Sequence, residues 1–201
     1  MYKRQDQATC EGSGYCSDGQ YTSEVDCTNA LATWTGSYGI YGQRYDASGN
    51  KITTEDHDGT SHNEFRVNLV TSSFQSRPSV AALTGLNGGG FVVTWHSYGQ
   101  DGSSYGVYWQ RYDSGGNKVS FCSGVTSTGN EISEAACTAV SGTWSSEFLI
   151  NSDMTAEHQA DPSVVGLNDG DFVVAWELQN DPQTLWDIWF QKFSSSWSIV
   201  E

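Results

Sequence analysis

Short apolar runs separated by small polar residues dominate the chain. The densest are Phe91-Val92-Val93-Thr94-Trp95 and Phe172-Val173-Val174-Ala175-Trp176. Runs of this length, rich in Val, Phe, Tyr and Trp and bounded by Gly, Asn, Ser and Asp, predict β-strands. In Gly39-Ile40-Tyr41-Gly42-Gln43-Arg44-Tyr45-Asp46, the two-residue period of a strand puts Tyr41, Gln43 and Tyr45 on one face. Ile40, Gly42 and Arg44 fall on the other. Asp46-Ala47-Ser48-Gly49-Asn50 and Asp113-Ser114-Gly115-Gly116-Asn117 have the residues of tight hairpin turns. No sustained helical period appears outside two cysteine-bearing segments.

The strands recur. The Ile40–Asp46 run returns as Val107-Tyr108-Trp109-Gln110-Arg111-Tyr112-Asp113, and in altered form as Ile188-Trp189-Phe190-Gln191-Lys192-Phe193. Glu64-Phe65-Arg66-Val67-Asn68 returns as Glu147-Phe148-Leu149-Ile150-Asn151, and Pro78-Ser79-Val80 as Pro162-Ser163-Val164. The longer interval between the second and third copies is accounted for by a cysteine module inserted between Asn117 and Glu147. The predicted fold is all-β, built of tandem four-stranded antiparallel repeats. These are either propeller-blade-like or packed as a β-sandwich.

The cysteine modules share the pattern S-E-x-x-C-T-x-x-x-x-T-W, once from Ser23 to Trp34 and once from Ser133 to Trp144. Each is preceded by another cysteine, so the simplest pairing is Cys16 with Cys27 and Cys122 with Cys137. Such a loop contributes about 3 kcal/mol by restricting the unfolded chain. Ser23 and Ser133 read as N-caps of short helices carrying the second cysteine. Zinc is the rival reading. It is disfavoured because the chain has no C-x-x-C pair, and His57, His62, His96 and His158 lie at no ligand spacing to the cysteines. Disulfides imply an oxidising compartment, hence an extracellular or cell-surface location. Cys10 is left without an assigned partner. The expected regions are an N-terminal tail with the first module (1–34), a first β-repeat region (35–118), the second module (119–146) and a second β-repeat region (147–201).

Charge narrows the partners. With 9 Lys and Arg against 24 Asp and Glu, the net charge is −15, which opposes binding to nucleic acid or to anionic membrane surfaces. An aromatic content of 13% sets the chain apart from disordered acidic sequences, and no apolar run is long enough to span a bilayer. Met1–Gln5 is polar and leads into no hydrophobic stretch, so no secretory signal is visible there, as expected of a truncated start. These residues are expected to be non-native, and the end at Ile199-Val200-Glu201 reads as mid-strand.

Pro78, Gly89, Phe91, Trp95, Gln100-Asp101-Gly102-Ser103, Gln110-Arg111-Tyr112 and Lys118 belong to a longer pattern. It reads P-S-V-x-x-L-x-x-G-G-F-V-V-T-W-x-S-x-x-Q-D-G-S-x-x-G-V-Y-x-Q-R-Y-D-x-x-G-N-K. This resembles a tandem β-repeat of long secreted and surface proteins of bacteria, including adhesins. The resemblance covers about residues 35–193, with the cysteine modules as departures. It implies an extracellular adhesive or structural role and no particular reaction. Calcium is not carried over, because the glycine-rich nonapeptides that often accompany such repeats are absent.

Candidate site residues are few. Gln43, Gln110 and Gln191 recur in every unit, which favours backbone partners between sheets over a ligand ladder. Arg44, Arg111 and Lys192 are expected to meet an acidic residue opening the next strand, Glu64 or Glu147. Trp109 has Gly42 and Phe190 as counterparts, so it is expected to be an exposed contact for a glycan or another subunit. Trp186 is its companion stacking candidate. Asp56 with Asp58, Asp169 with Asp171, and Glu177 are weak carboxylate candidates, and no G-x-S-x-G, H-E-x-x-H or P-loop is present. No enzyme activity, metal or cofactor is assigned. The first unit lacks its Pro-Ser-Val and Phe-Val-Val strands, and the last lacks its Glu-Phe-x-Val-Asn strand. Open edges should therefore recruit other strands. The expected function is an extracellular structural subunit of a filament, pilus-like fibre or adhesin, associating head-to-tail with copies of itself. A carbohydrate-binding propeller segment is the alternative, and a glycosidase fragment a lesser one.

Overall fold

The computed structural model describes residues 14–16, 34–36, 38–55, 61–85, 89–123, 134–139, 141, 143–150, 158–179, 186–195 and 199–200. These residues are nearly all β, in antiparallel sheets, with one disulfide. A two-stranded ribbon joins β1 (Gly14–Cys16) to β2 (Trp34–Gly36). A three-stranded sheet follows, in which β3 (Tyr41–Tyr45) pairs with β4 (Lys51–Ile52) and β7 (Glu64–Arg66). The small ribbon of β5 (Thr54–Glu55) and β6 (Ser61–His62) lies between them in sequence.

The central sheet runs β8 (Gln75–Leu83), β9 (Gly90–Tyr98), β10 (Tyr105–Tyr112), β11 (Lys118–Val119), and β14 (Glu147–Leu149) also pairs with β10. The last sheet runs β15 (His158–Gly166), β16 (Phe172–Gln179), β17 (Asp187–Phe193), β18 (Ile199–Val200). Between them in sequence, β12 (Phe121–Ser123) pairs with β13 (Thr143–Ser145), joined to helix α1 (Glu134–Ala139) by the Cys122–Cys137 disulfide. The first module's pairing cannot be followed in the same way, because Cys27 and the Cys16 side chain lie outside the described residues.

The pairing registers correspond from sheet to sheet. Arg44↔Ile52 and Tyr45↔Lys51 return as Arg111↔Val119 and Tyr112↔Lys118, and again as Lys192↔Val200 and Phe193↔Ile199. The two long sheets share an irregularity, between Ser76 and Ser79 and between Ala160 and Ser163. Pro78 and Pro162 sit inside these bulges, where a strand tolerates a residue without an N–H.

Local chemistry explains the hairpins. Asp46 Oδ1 accepts from the backbone N–H of Ser48 and of Asn50, and Oδ2 accepts from the Asn50 amide at 3.0 Å. Asp113 holds Asn117 in the same manner. Gly49 at φ 83 and Gly116 at φ 90 supply the left-handed turn residue that a side chain would strain.

Burial shows how the sheets stack. Both faces of the central sheet are covered, since β9 and β10 are buried at consecutive positions. One face packs Val92, Val107 and Trp109 against Phe172, Val174, Trp176, Leu178 and Phe193 of the last sheet. The other packs Val93, Trp95, Tyr108 and Tyr112 against Ile40, Phe65 and Val67 of the first. In the last sheet β16 alternates buried and half-buried positions, so that sheet is sealed on one side only.

Candidate functional site

The open side of β3 is the first feature this stacking leaves. In β10, β9 fills one side along its length, so β11 and β14 share the other. β3 repeats both of those outer registers with β4 and β7, and no strand among the described residues occupies its remaining side. A groove of about 360 Å³ runs along that edge. Its walls include Ile40, Gln43 and Arg44 on one side and Pro78, Val80 and Phe91 on the other. Val80 is 65% exposed there, whereas Val164, its counterpart, is partly buried against the core between the other two sheets.

The groove is apolar with a backbone edge, and its polar side chains are held elsewhere. Arg44 donates to the carbonyls of Ser114 and Gly115 in the neighbouring hairpin. Lys192 pairs with Asp171 at 2.9 Å. The expected partners Glu64 and Glu147 are thus not those of Arg44 and Lys192, because the hairpin carbonyls and the Asp171 carboxylate lie nearer. Glu147 instead accepts from the backbone N–H of Leu69 and the Gln100 amide, while burial pushes its carboxyl above the ordinary range. Gln43 donates to the Arg44 carbonyl at 2.8 Å, Gln110 to that of Arg111 at 2.7 Å and Gln191 to that of Lys192 at 3.1 Å. Each glutamine amide is engaged within its own sheet rather than between sheets.

Trp109 is not the exposed aromatic expected from its variable counterparts. It is 2% exposed, with its ring centroid 5.2–5.7 Å from those of Phe121, Phe148, Phe172 and Phe193. The position varies because it shares its volume with the residue across the strand. In the first sheet Gly42 leaves that space to Phe65, whose ring lies 2.6 Å from where a Gly42 Cβ would stand. Trp186 is 44% exposed, with its ring edge-on to His158 at 5.1 Å. Asp169 occupies a left-handed turn position, Asp171 is held below the usual carboxylate range by Lys192, and Glu177 is half-buried in β16. Asp56 and Asp58 lie outside the described residues. Among the described residues, no three His, Cys, Asp or Glu gather to hold a metal, and no helix is long and apolar enough to cross a membrane.

A polar cluster that sequence reasoning missed lies between the last two sheets. Ser76 Oγ is 2.7 Å from His96 Nε2, and the Asp161 backbone N–H donates to His96 Nδ1 at 3.3 Å. Because Nδ1 accepts, the proton is assigned to Nε2, which donates to Ser76. That is the reverse of a serine activated by histidine, where Nε2 must accept. Burial holds His96 down at about 4, so the ring is neutral at pH 7. Tyr105 lies against both His96 and His158, and Arg77 bridges to Asp161 at 3.3 Å. Arg77 and Asp161, equivalent bulge residues of opposite charge, were the signal available in the sequence.

No family model, curated protein or solved structure matches the chain.

Proposed function

We propose that the three stacked sheets are successive blades of one tandem repeat, of the kind found in secreted and surface proteins of bacteria. On this reading the protein is an extracellular structural subunit of a filament, pilus-like fibre or adhesin that assembles through strand edges. The observation that carries the reading is the open side of β3. Its counterparts β10 and β17 hold β9 and β16 at that place, and the groove of about 360 Å³ beside β3 has apolar walls that suit an extended segment. An unpaired edge beside an apolar wall supplies main-chain hydrogen bonds for affinity and side-chain pockets for register. The disulfide supports an oxidising location. No catalytic role is proposed; in the Ser76–His96 contact the ring nitrogen donates, the wrong tautomer for nucleophilic attack.

The test places a charge on the exposed wall of the groove. Val80→Lys should fold and melt like the wild type, because Val80 is 65% exposed. Sedimentation velocity should show wild-type protein associating as its concentration rises through the micromolar range, and the variant remaining monomeric. A wild-type chain that stays a compact monomer there, with no fibres by negative-stain microscopy, refutes the proposal. The lectin-like reading retains only Trp186; glycan-array binding that disappears in Trp186→Ala would establish it instead.

A further inference from the structure

Resting on that reading, we infer that the outer face of β17 is the landing surface for a second copy's β3–β4–β7 sheet, with Phe190 of one chain against Tyr45 of the next. Register assigns the face. Ala175↔Phe190 and Glu177↔Ile188 across β16 and β17, together with Val165↔Val173 across β15 and β16, put Val165, Ile188 and Phe190 on one side. They are 54%, 69% and 71% exposed. The opposite side of the same sheet carries Phe172, Val174 and Trp176 and is buried.

The occupant follows from contacts that the chain already makes twice. Between the last two sheets, Trp109 of β10 sits 5.2 Å from Phe172 and 5.6 Å from Phe193, which face each other across β16 and β17. Between the first two, Phe65 fills the space over Gly42, Trp109's counterpart. It lies 6.4 Å from Phe91 and 5.2 Å from Tyr112, the matching pair across β9 and β10. Each interface thus sets an aromatic from one sheet against the last aromatic of the neighbouring sheet's third strand. Phe190 is Trp109's counterpart with no sheet of the described residues over it, and Tyr45 is the counterpart of Tyr112 and Phe193. Tyr45 is 57% exposed and Tyr41, on the same face, 44%. Bringing Phe190 and Tyr45 together makes the contact a third time, between chains. The two surfaces differ, so the contact is heterologous and leaves one of each free at the ends of any open assembly.

That asymmetry gives the test. Phe190→Glu and Tyr45→Lys each spoil one surface and leave the other intact. Each variant alone should be monomeric where the wild type associates, a weakening of about tenfold or more. Their equimolar mixture should form a dimer and stop there, because the intact Phe190 face of one meets the intact Tyr45 face of the other. Melting curves of both variants should match the wild type, since both side chains are exposed. Association of either variant at wild-type strength, or a mixture that stays monomeric, overturns the inference. Val80→Lys separates the two ideas. If it abolishes assembly while Phe190→Glu does not, the face contact fails and the strand edge stands; the reverse result removes the edge and keeps the face.

Discussion

Trp109→Ala should be a costly truncation, and the structure sets the size of the loss. The indole is 2% exposed and is ringed by four aromatic side chains. Truncating a buried Trp to Ala removes both the transfer free energy of the ring and its packing contacts, about 3–5 kcal/mol depending on how far the neighbours collapse. Here they are poorly placed to collapse. Phe121 and Phe148 are stacked on each other at 3.8 Å, and Phe172 and Phe193, directly opposite across β16 and β17, at 4.9 Å. The cavity therefore stays open, and the cost belongs near about 4 kcal/mol, or a fall in Tm of about 10 °C for a chain of this length. Phe190→Ala is the matched control, since the same strand position in the last sheet is 71% exposed. It should change stability by no more than about 0.5 kcal/mol. The assay is urea unfolding followed by far-ultraviolet circular dichroism, at a protein concentration dilute enough to keep association out of the transition. A Trp109→Ala cost below about 1 kcal/mol, or equal costs at the two positions, would refute the stacking of sheets described above.

Two further outcomes bear on the cysteine module and on pH. Replacing Cys122 and Cys137 by Ser opens a loop with a sequence separation of 15 and should lower stability by about 3 kcal/mol; non-reducing peptide mapping should recover the bridged pair from protein purified under oxidising conditions, and two free thiols there would contradict the assignment. His96 titrates near 4 when folded against 6.5 when unfolded, so the unfolded chain takes up the proton first. Stability referable to this ring is complete above pH 6.5 and declines as pH falls to 4, by about 2 kcal/mol once partial solvent access is allowed for. His96→Gln should flatten that slope, and an unchanged slope would mean that the ring is not desolvated.

What was legible in the sequence was what is local. The hairpins after Tyr45 and Tyr112 follow from Asp46 and Asp113 gathering the N–H groups of their own turns, an interaction spanning four residues. Strand alternation likewise predicted which side chains share a face. It could not tell which faces another sheet covers, and Trp109 shows the consequence. Its variability among the units looked like freedom, but it reflects a volume divided differently between two neighbouring strands, Gly42 with Phe65 and Trp109 with Phe148. The partners of Arg44 and Lys192 were missed for a related reason. Both cations settle on groups beside hairpins and strand starts, whose positions depend on the stacking. The His96 cluster joins Ser76, Tyr105 and Asp161 across two sheets, at no spacing that a motif would reveal.

Stacking similar sheets has a further physical consequence. An operation that lays one unit on the next brings equivalent positions close together, so identical residues there would meet their own kind. Arg77 and Asp161 occupy the same left-handed bulge position before a proline, at φ 56 and φ 49, and they form an ion pair. Two arginines or two aspartates at that separation would repel. A few residues on, Ala82 faces Gly166, where a Cβ would stand 2.0 Å from the Ala82 carbonyl oxygen; one member had to lose its side chain. The Ser79 hydroxyl oxygen, opposite its own counterpart's neighbour, accepts from the Val164 N–H at 3.2 Å. Divergence between the units is therefore concentrated where they touch. Val80 and Phe190, on surfaces that no described sheet covers, have the apolar character of their counterparts, the partly buried Val164 and the buried Trp109. Water would favour polar residues at both places, and the proposed docking of another unit is the reading under which an apolar side chain there is covered.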